Sequence, residues 1–497
     1  MTVADCKIKN FSKNDRFYLI GIGGCGMSAL AHILIDSGYS VSGSDTQKSI
    51  YTEQLINRGI QIFYNHSPEN IASFQPSIVV HTSAVNNDNP ELNWALKQGL
   101  QIFRRGALLS QITKNLNPIC IAGMHGKTTT SAMLAYALQQ LNHSLGNAIG
   151  WNIPQLERNG KVNCTHLTKN NLSNKYFTIE TDESDGTFTL FSPAHSIVLN
   201  IDREHMDYFG NFERLKTEFS KFITRTFGHA VYCIDSEELA KLACGKTNAV
   251  SYGLSESASY RLVNFQFHSK KGWKFEVLKN GNPLGKFNLQ LLGLHNVLNA
   301  TAVITMLDLL EFKYEQILPV IASFKGAERR QQELYNDGFV QIFDDYGHHP
   351  QEIKATINAL NPFINNRLLI VFQPHRYTRT IDLLKEFGLC FEGASKIWIM
   401  DIYGAGEKPI KGVTSELIVN ELKKNGYDAE YEPSETTVAE KVLKELQVGD
   451  IALFCGAGAD VTRAAHNLSN ILKSKVYGFD CNRENKMQNQ RNTMISH

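Results

Sequence analysis

Long apolar runs are missing from this sequence. None approaches the roughly 18 residues that a membrane-crossing helix needs, so no transmembrane protein is expected. Cysteine is sparse and scattered: there are nine, an odd number, and no two stand as CxxC. A disulfide framework or a zinc ribbon is therefore not expected, and most of the thiols read as small buried hydrophobes. An excess of one charge is missing too. Lys and Arg number 50 against 49 Asp and Glu, a formal net charge of +1. That balance gives neither nucleic acid nor a membrane surface a footprint, so neither partner is expected. There is no repeat at a fixed period. The opening stretch, MTVADCKIKNFSKND, lacks the apolar core of a signal peptide, so a cytoplasmic location is expected. Global disorder is excluded by 42% hydrophobic and 20% charged residues.

What is present is alternation. The chain has 497 residues, enough for about three domains of roughly 150 residues each. FYLIGIG (17–23) reads as a strand ending in glycines, MSALAHILIDSG (27–38) as a helix with a glycine stop, and SVSGSD (40–45), IQIFY (60–64) and SIVVHTSA (77–84) as further strands. PICIAG (118–123) starts a second unit and runs into TTTSAMLAYALQQL (128–141), a helix. Residues 157–175 read as a polar surface loop. YFTIETDESD (176–185) and HSIVLNID (195–202) return to buried strands. From 228 to 292, HAVYCID, SYRLVNFQFH, GWKFEVLKNG and KFNLQLLG are closely spaced, with a turn at Asn280-Gly281-Asn282, and read as a small antiparallel patch. A third alternating unit with five or six strands starts near 326. The expected fold class is α/β with three domains: a Rossmann-like domain (1–115), a central P-loop-type ATPase domain carrying a small antiparallel sheet (116–325), and a C-terminal Rossmann-like α/β domain (326–475). A polar tail at 476–497 is expected to be disordered.

The sharpest motif is Gly123-Met124-His125-Gly126-Lys127-Thr128-Thr129-Thr130, between a strand and a helix. Successive backbone N–H groups and the helix N-terminus make a concave anion site. Lys127 can reach the outer phosphates and the Thr128 hydroxyl can ligate Mg²⁺. Two residues separate the glycines where the full P-loop pattern has four, so the mechanics survive although the pattern does not match. A Gly-rich turn with a surface lysine is the bland alternative, and the strand–loop–helix context weighs against it. Glu180-Thr181-Asp182-Glu183-Ser184-Asp185 closes a strand. Acids there suit a hard cation, and alternation would put Glu180 and Asp182 on one face. His205 and Asp207, after the next strand, are candidate metal-site residues, against the ordinary reading of a lone His as structural.

Gly21-Ile22-Gly23-Gly24-Cys25-Gly26, with Asp45 ending the next strand, fits the dinucleotide fingerprint. The physics asks only for a diphosphate on a helix N-terminus and an acid facing a sugar or base. A nucleotide-diphosphate sugar satisfies it as well as NAD does. In the third unit, Asp344-Asp345-Tyr346-Gly347-His348-His349-Pro350 and Phe372-Gln373-Pro374-His375-Arg376-Tyr377-Thr378-Arg379-Thr380 both pass from strand to helix. Arginines three apart can grip a carboxylate, and two such loops on one sheet point to a crevice.

In combination, GIGGCGMSALA, SGSD, HTSAVNNDNPE, the GxHGKTTT loop, ExDESD, HMD, GLHNVLNA (293–300), DDYGHHP and FQPHRYTRT resemble the Mur ligases over about residues 15–470. The last two motifs are features of the L-alanine-adding member. The resemblance implies UDP-sugar-binding, ATP-binding and amino-acid-binding domains, the third closing over the others. It implies ATP and Mg²⁺ as cofactors and UDP-N-acetylmuramate and L-alanine as partners, with a monomer or weak homodimer as the state.

Carried onto this sequence, Gly123, His125, Gly126, Lys127, Thr128, Thr129, His295, Asn296, Asn299, Arg329 and Asp344 would bind ATP, Asp344 through the ribose. Thr128, Glu180 and His205 would ligate Mg²⁺. Gly23, Gly24, Gly26, Ser28, Asp45 and Ser83 would meet the UDP-sugar, and Tyr346, His348, Arg376 and Arg379 the amino acid. Lys127, His205, Arg330 and His348 would be catalytic, with Arg329 or Arg330 at the γ-phosphate. The chain departs from the family pattern at Met124, Glu204, ERRQQ (328–332) and GAGAD (456–460). Three other functions compete: a related ligase attaching a recycled peptide or another amino acid, an NAD-dependent oxidoreductase resting on the first glycine loop, and a non-catalytic nucleotide sensor.

Overall fold

The apolar run FYLI becomes the buried strand β1, Arg16–Ile20, and the glycine stop becomes Gly38 with φ +85° just past the helix Cys25–Asp36. The computed structural model describes residues 11–82, 84–86, 88–163, 174–184, 186–203, 206–268 and 272–474. The expected sites Ser83 and His205, and the tail 476–497, lie outside the described residues.

β1 is joined by β2 (Ser40–Ser44), β3 (Ile62–Phe63), β4 (Ile78–His81) and β5 (Gln101–Arg104) in one parallel sheet of order β3-β2-β1-β4-β5. The order reverses between β2–β1 and β1–β4, and the first glycine loop leaves β1 there. Ligands of doubly wound sheets bind at such a switch point.

The second sheet has ten strands: β6 (Pro118–Ala122), β7 (Ser144–Ala148), β8 (Gly160–Val162), β9 (Tyr176–Glu180), β10 (His195–Val198), β11 (Ala230–Cys233), β12 (Ala249–Gly253), β13 (Tyr260–His268), β14 (Gly272–Lys279) and β15 (Asn282–Leu289). Its order is β15-β14-β13-β12-β11-β10-β6-β9-β7-β8. β6 lies between β10 and β9, with Ile121 opposite Glu180 and Ala122 opposite Val198. This register brings the acidic strand end and the Asn200 loop to either side of the phosphate loop.

Two expectations are corrected here. HAVYC joins the parallel part of the sheet, so the antiparallel patch starts only where β13 meets β14. Residues 160–162, read as surface loop, form strand β8 with Gly160 and Val162 buried. Gly160 is buried against backbone, and Val162 in the apolar cluster that the two sheets share. A Cβ on Gly160 would overlap the backbone of Ala29. Asp36, at the end of the same helix, accepts hydrogen bonds from Arg58 Nη2 (2.6 Å), Arg158 Nη2 (3.3 Å) and the Val162 amide (3.0 Å). One apolar cluster, running from Phe17 through Leu30 and Phe177 to Phe219, is shared by both sheets. Met1–Glu328 is accordingly one compact unit.

The second unit, Arg329–His497, holds the third sheet. Its strands are β16 (Gln332–Asn336), β17 (Gln341–Asp345), β18 (Leu368–Gln373), β19 (Lys396–Ile399), β20 (Ala429–Tyr431) and β21 (Ile451–Gly456), ordered β16-β17-β21-β18-β19-β20. All pairings are parallel except the edge pair β16–β17. β21 therefore separates the ends of β17 and β18. The three domains of the α/β fold class are built on these three sheets. Among the described residues no helix is long and apolar enough to cross a membrane.

Two predictions follow from the Gly160–Asp36 contact region. Gly160→Ala should cost about 1–3 kcal/mol through overpacking; an unchanged melting temperature would mean that β8 and the helix part freely. His32 lies fully buried beside Arg58, accepting from its Nη1 at 2.9 Å, and burial together with Arg58 and Arg158 lowers its pKa from 6.5 to about 3. The unfolded chain takes up this proton below pH 6.5 and the folded chain does not, so the stability is present above 6.5 and lost as pH falls towards 3. His32→Gln should lose less stability than the parent between pH 7 and pH 5 in thermal melts.

Candidate active site

Strand β6 ends at Ala122, and the chain turns through Gly123 (φ +136°) and Gly126 (φ +84°) into the helix Lys127–Gln140. The turn is braced from both sides. The Gly123 amide donates to Glu183 Oε1 at 2.9 Å. His125 and Asn200 exchange two bonds of 2.9 Å. Lys127 Nζ folds back to Glu183 Oε2 at 2.8 Å and to the Gly123 carbonyl. Burial alone would lower the Lys127 pKa, but Glu183, Asp182 and Glu180 outweigh it and raise it. Burial pushes Glu183 up against the pull of Lys127.

Thr128 donates to Glu180 Oε1 at 2.7 Å, and the Gly150 amide donates to Glu180 Oε2 at 2.6 Å. Thr128 and Glu180 are thus side by side. Alternation does not carry past Glu180, where β9 ends, so Glu180 and Asp182 part. Asp182 pairs with Arg105 Nη2 at 2.8 Å and accepts from Ser184. Burial would raise the Asp182 pKa, but Arg105 and Ser184 lower it overall.

Thr129 is buried behind the loop. The helix Leu294–Leu309 brings Asn296 and Asn299 to its buried side, joined at 3.2 Å, with His295 exposed. A Cβ on Gly126 would lie 2.8 Å from Asn299 Oδ1, so Asn299 sits directly against the phosphate loop.

In the first glycine loop Gly24 is exposed and Gly23 partly so. Asp45 Oδ2 accepts the Gly23 amide at 2.8 Å, and Oδ1 accepts the Thr46 amide at 2.8 Å. The acid of the fingerprint is turned onto its own loop. Gly26 packs on Arg105, whose Nη1 would be 2.9 Å from a Cβ there. Ser28 is fully buried, bonded to the Cys25 carbonyl (2.9 Å) and to Asn159 (3.0 Å). Beside this loop Ser44, Tyr18 and His66 converge on the buried Glu91.

In the second unit, β17 ends in two buried acids. Asp344 Oδ2 is 3.3 Å from Arg329 Nε, and Thr462 bonds its other oxygen. Burial raises the Asp344 pKa to about 6 against the pull of Arg329. Arg329 also donates to the Gly456 and Gly458 carbonyls. Asp344, expected at the ribose, is 0% exposed and holds Arg329. Arg330 lies over the Tyr346 ring at 5.3 Å. Asp345 shapes the turn by accepting the Gln331 (2.7 Å) and Gly347 (2.8 Å) amides.

His348 Nδ1 lies 3.0 Å from the Tyr346 carbonyl, which can only accept, so Nδ1 carries the proton. Burial first, then Arg379 and Arg330, lower the His348 pKa to about 4 despite Glu352. From the end of β18, His375 reaches His348, ring centroids 4.9 Å apart, and accepts from Arg379 Nη1 at 2.9 Å. Past the end of β21, Gln373 from the end of β18 packs directly on Gly458, where a Cβ would overlap its side-chain amide. Arg376 is exposed and takes φ +70°; Arg329 (φ +53°) and Gln331 (φ +50°) are also left-handed. Strained backbone of this kind concentrates at functional sites.

Among expected residues, Lys127, Thr128 and Glu180 meet around one loop, and Tyr346, His348 and Arg379 share one cluster. Glu183, Arg105, His66, Asp345 and His375 were not singled out from the sequence. Glu183, Asp345 and His375 stood inside quoted motifs; nothing in the sequence marks Arg105 or His66.

Asp344→Ala should destabilise the second unit by about 3 kcal/mol, because it strands a largely buried guanidinium. A urea-unfolding curve identical to the parent would show that the two carbonyls suffice to hold Arg329.

Three family models match in turn: Mur ligase family, catalytic domain, at residues 16–116; Mur ligase middle domain at 121–307; and Mur ligase, glutamate ligase domain, at 328–458. The UDP-N-acetylmuramate–L-alanine ligase of Syntrophotalea carbinolica is 36% identical over 453 residues, 90% of this chain and 96% of that protein. The crystal structure of the UDP-N-acetylmuramate-alanine ligase of Thermotoga maritima matches at TM-score 0.79 and 28% identity, covering 93% of this chain and 99% of that one. A murein peptide ligase from Psychrobacter arcticus shares the fold at TM-score 0.67 and 20% identity, over 91% and 99%. With its three domains matched in order and a relative this similar over nearly its whole length, the chain belongs to the Mur ligase family.

Proposed function

We propose that this chain is an ATP-dependent, ADP-forming ligase that joins the lactyl carboxylate of UDP-N-acetylmuramate to L-alanine, in the cytoplasm, in peptidoglycan precursor synthesis. The observation that carries the reading is whole-length similarity to L-alanine ligases, in a chain whose phosphate loop and imidazole–arginine cluster are both intact.

In the first step a carboxylate oxygen attacks the γ-phosphorus of ATP, the bond to the β-phosphate oxygen breaks, and ADP leaves with the electron pair. The acyl phosphate then has a leaving group that the carboxylate lacked. In the second step the neutral amine attacks the carbonyl carbon, phosphate leaves, and the amine proton is given up. The chain supplies positioning and charge. Lys127 exchanges Glu183 for phosphate oxygens, the loop amides and helix N-terminus cradle the anion, and Arg330 offsets charge on the transferred group. Asn296 and Asn299 would face the adenine, with His295 beside them. Gly23, Gly24 and Gly26 would cradle the diphosphate of the sugar nucleotide. Asp45 keeps that loop in shape, which leaves it less suited to a nicotinamide dinucleotide's ribose.

Mg²⁺ fits the donor set. Thr128 and Glu180 offer adjacent oxygens, and three acids already surround Lys127, so a polyphosphate needs added positive charge. When bound, the ion would offset phosphate charge; Thr128, Glu180 and His205 would hold it. Tyr346, His348, Arg376 and Arg379 would meet the amino acid, Arg379 through its carboxylate. The neutral His348 has its lone pair at Nε2, where it can accept a hydrogen from the amine.

The test is phosphate release from ATP and Mg²⁺ with UDP-N-acetylmuramate and a panel of L-alanine, glycine, L-serine and a tripeptide. Release should require both the sugar nucleotide and L-alanine; release with the tripeptide alone would move the assignment to peptide recycling. Lys127→Ala should lose at least about a hundredfold in kcat while still binding the sugar nucleotide. Retained turnover would remove Lys127 from the phosphate site.

A further inference from the structure

We propose that His375 is a positioning residue: as a neutral hydrogen-bond acceptor it fixes the Arg379 guanidinium without cancelling its charge, leaving that charge for the carboxylate of the incoming amino acid. The inference rests on the amino-acid role proposed for Arg379 above.

The bond defines the tautomer. A guanidinium has only donors, so at 2.9 Å from Arg379 Nη1 the His375 Nδ1 must carry the lone pair and Nε2 the proton. The ring has little freedom. His348 meets it edge-on at 4.9 Å and Tyr403 stacks on it at 5.8 Å and 29°. The backbone is pinned as well, by a parallel bridge between His375 and Tyr403, with Tyr403 donating to the Pro374 carbonyl and Arg376 donating to the Tyr403 carbonyl, both at 2.8 Å. Burial, with His348, Arg379 and Arg376 around it, outweighs the opposing pull of Glu352 and holds its pKa down to about 2, so protonation does not compete for the lone pair at neutral pH.

An arginine that must grip a carboxylate needs orientation and charge together. A carboxylate partner would orient it but would offset the charge before substrate arrives. Alanine or another apolar residue would leave the charge but remove this restraint on a side chain with about four rotatable bonds. A neutral imidazole meets both requirements.

The experiment is steady-state kinetics on three variants, with melting temperatures as a check on folding. His375→Asn returns an acceptor oxygen near the Nδ1 position, and its amino-acid KM should stay within about threefold of the parent. His375→Ala should raise that KM about tenfold, as expected for one lost charge-assisted bond, with a smaller change in kcat. His375→Asp should raise it further than the alanine variant, although it restores an acceptor. The KM values for ATP and for the sugar nucleotide should not move. A purely structural role would not give this split or the asparagine rescue.

An aspartate variant that binds amino acid like the parent would overturn the proposal, as would an asparagine variant no better than alanine. If the parent uses another amino acid from the panel, the substrate reading fails, while the same series on that amino acid's KM still decides the clamp. Independently of turnover, ¹⁵N spectra of histidine-labelled protein should show His375 with a bare Nδ1 and no titration between pH 5 and pH 8. A protonated Nδ1 would overturn the proposal whatever the substrate.

Discussion

A lysine held by a buried carboxylate underlies the phosphate loop. Glu183 is wholly buried, and its two oxygens take the first loop amide and the Lys127 ammonium. One side chain thus sets both the backbone turn and the resting position of the cation. An isolated charge at that depth would be costly, and a paired one is tolerated. The lysine is therefore pre-placed, its ammonium shared between Glu183 and the Gly123 and Met124 carbonyls. Glu180 does the same for the other half of the loop, tying the Thr128 hydroxyl to the Gly150 amide. Parallel pairing of β6 with β9 puts both acids where they are needed.

The second unit follows the same rule with the signs exchanged. Arg329 is threaded between Asp344 and two carbonyls of the turn after β21. It ties three strand ends together. Its neighbour Arg330 acts on the other buried acid, Asp345, and both guanidiniums lie over the Tyr346 ring, at 5.2 and 5.3 Å. Two adjacent arginines thus answer two adjacent acids across one aromatic face.

How far the sequence could be read follows from which forces are local. Glycine loops between an apolar strand and a helix announce themselves, because backbone geometry and residue type coincide there; both loops, both alternating sheets and the motif ends at Tyr346, His348 and Arg379 were legible. Contacts across domains were not. Asp36 gathers donors from Arg58, Arg158 and β8, and Arg105 passes from Gly26 to Asp182, in pairings no short window contains. β8 was hidden because it is three residues long and holds a single apolar side chain, Val162. The pairing of Asp344 with Arg329 was hidden because an acid at a strand end looks the same in sequence whatever it faces. Alternation misled at Asp182, since the period of two stops with the strand.

The contact of Gly126 with Asn299 bears on how such a chain can drift. The asparagine fills the space that any larger residue at the loop position would need. A side chain at 126 is therefore tolerated only if residue 299 shrinks or shifts in the same lineage. The residues that brace the same loop, Glu180, Glu183 and Asn200, also lie between them in sequence, so the loop is tied to several distant stretches of one chain at once.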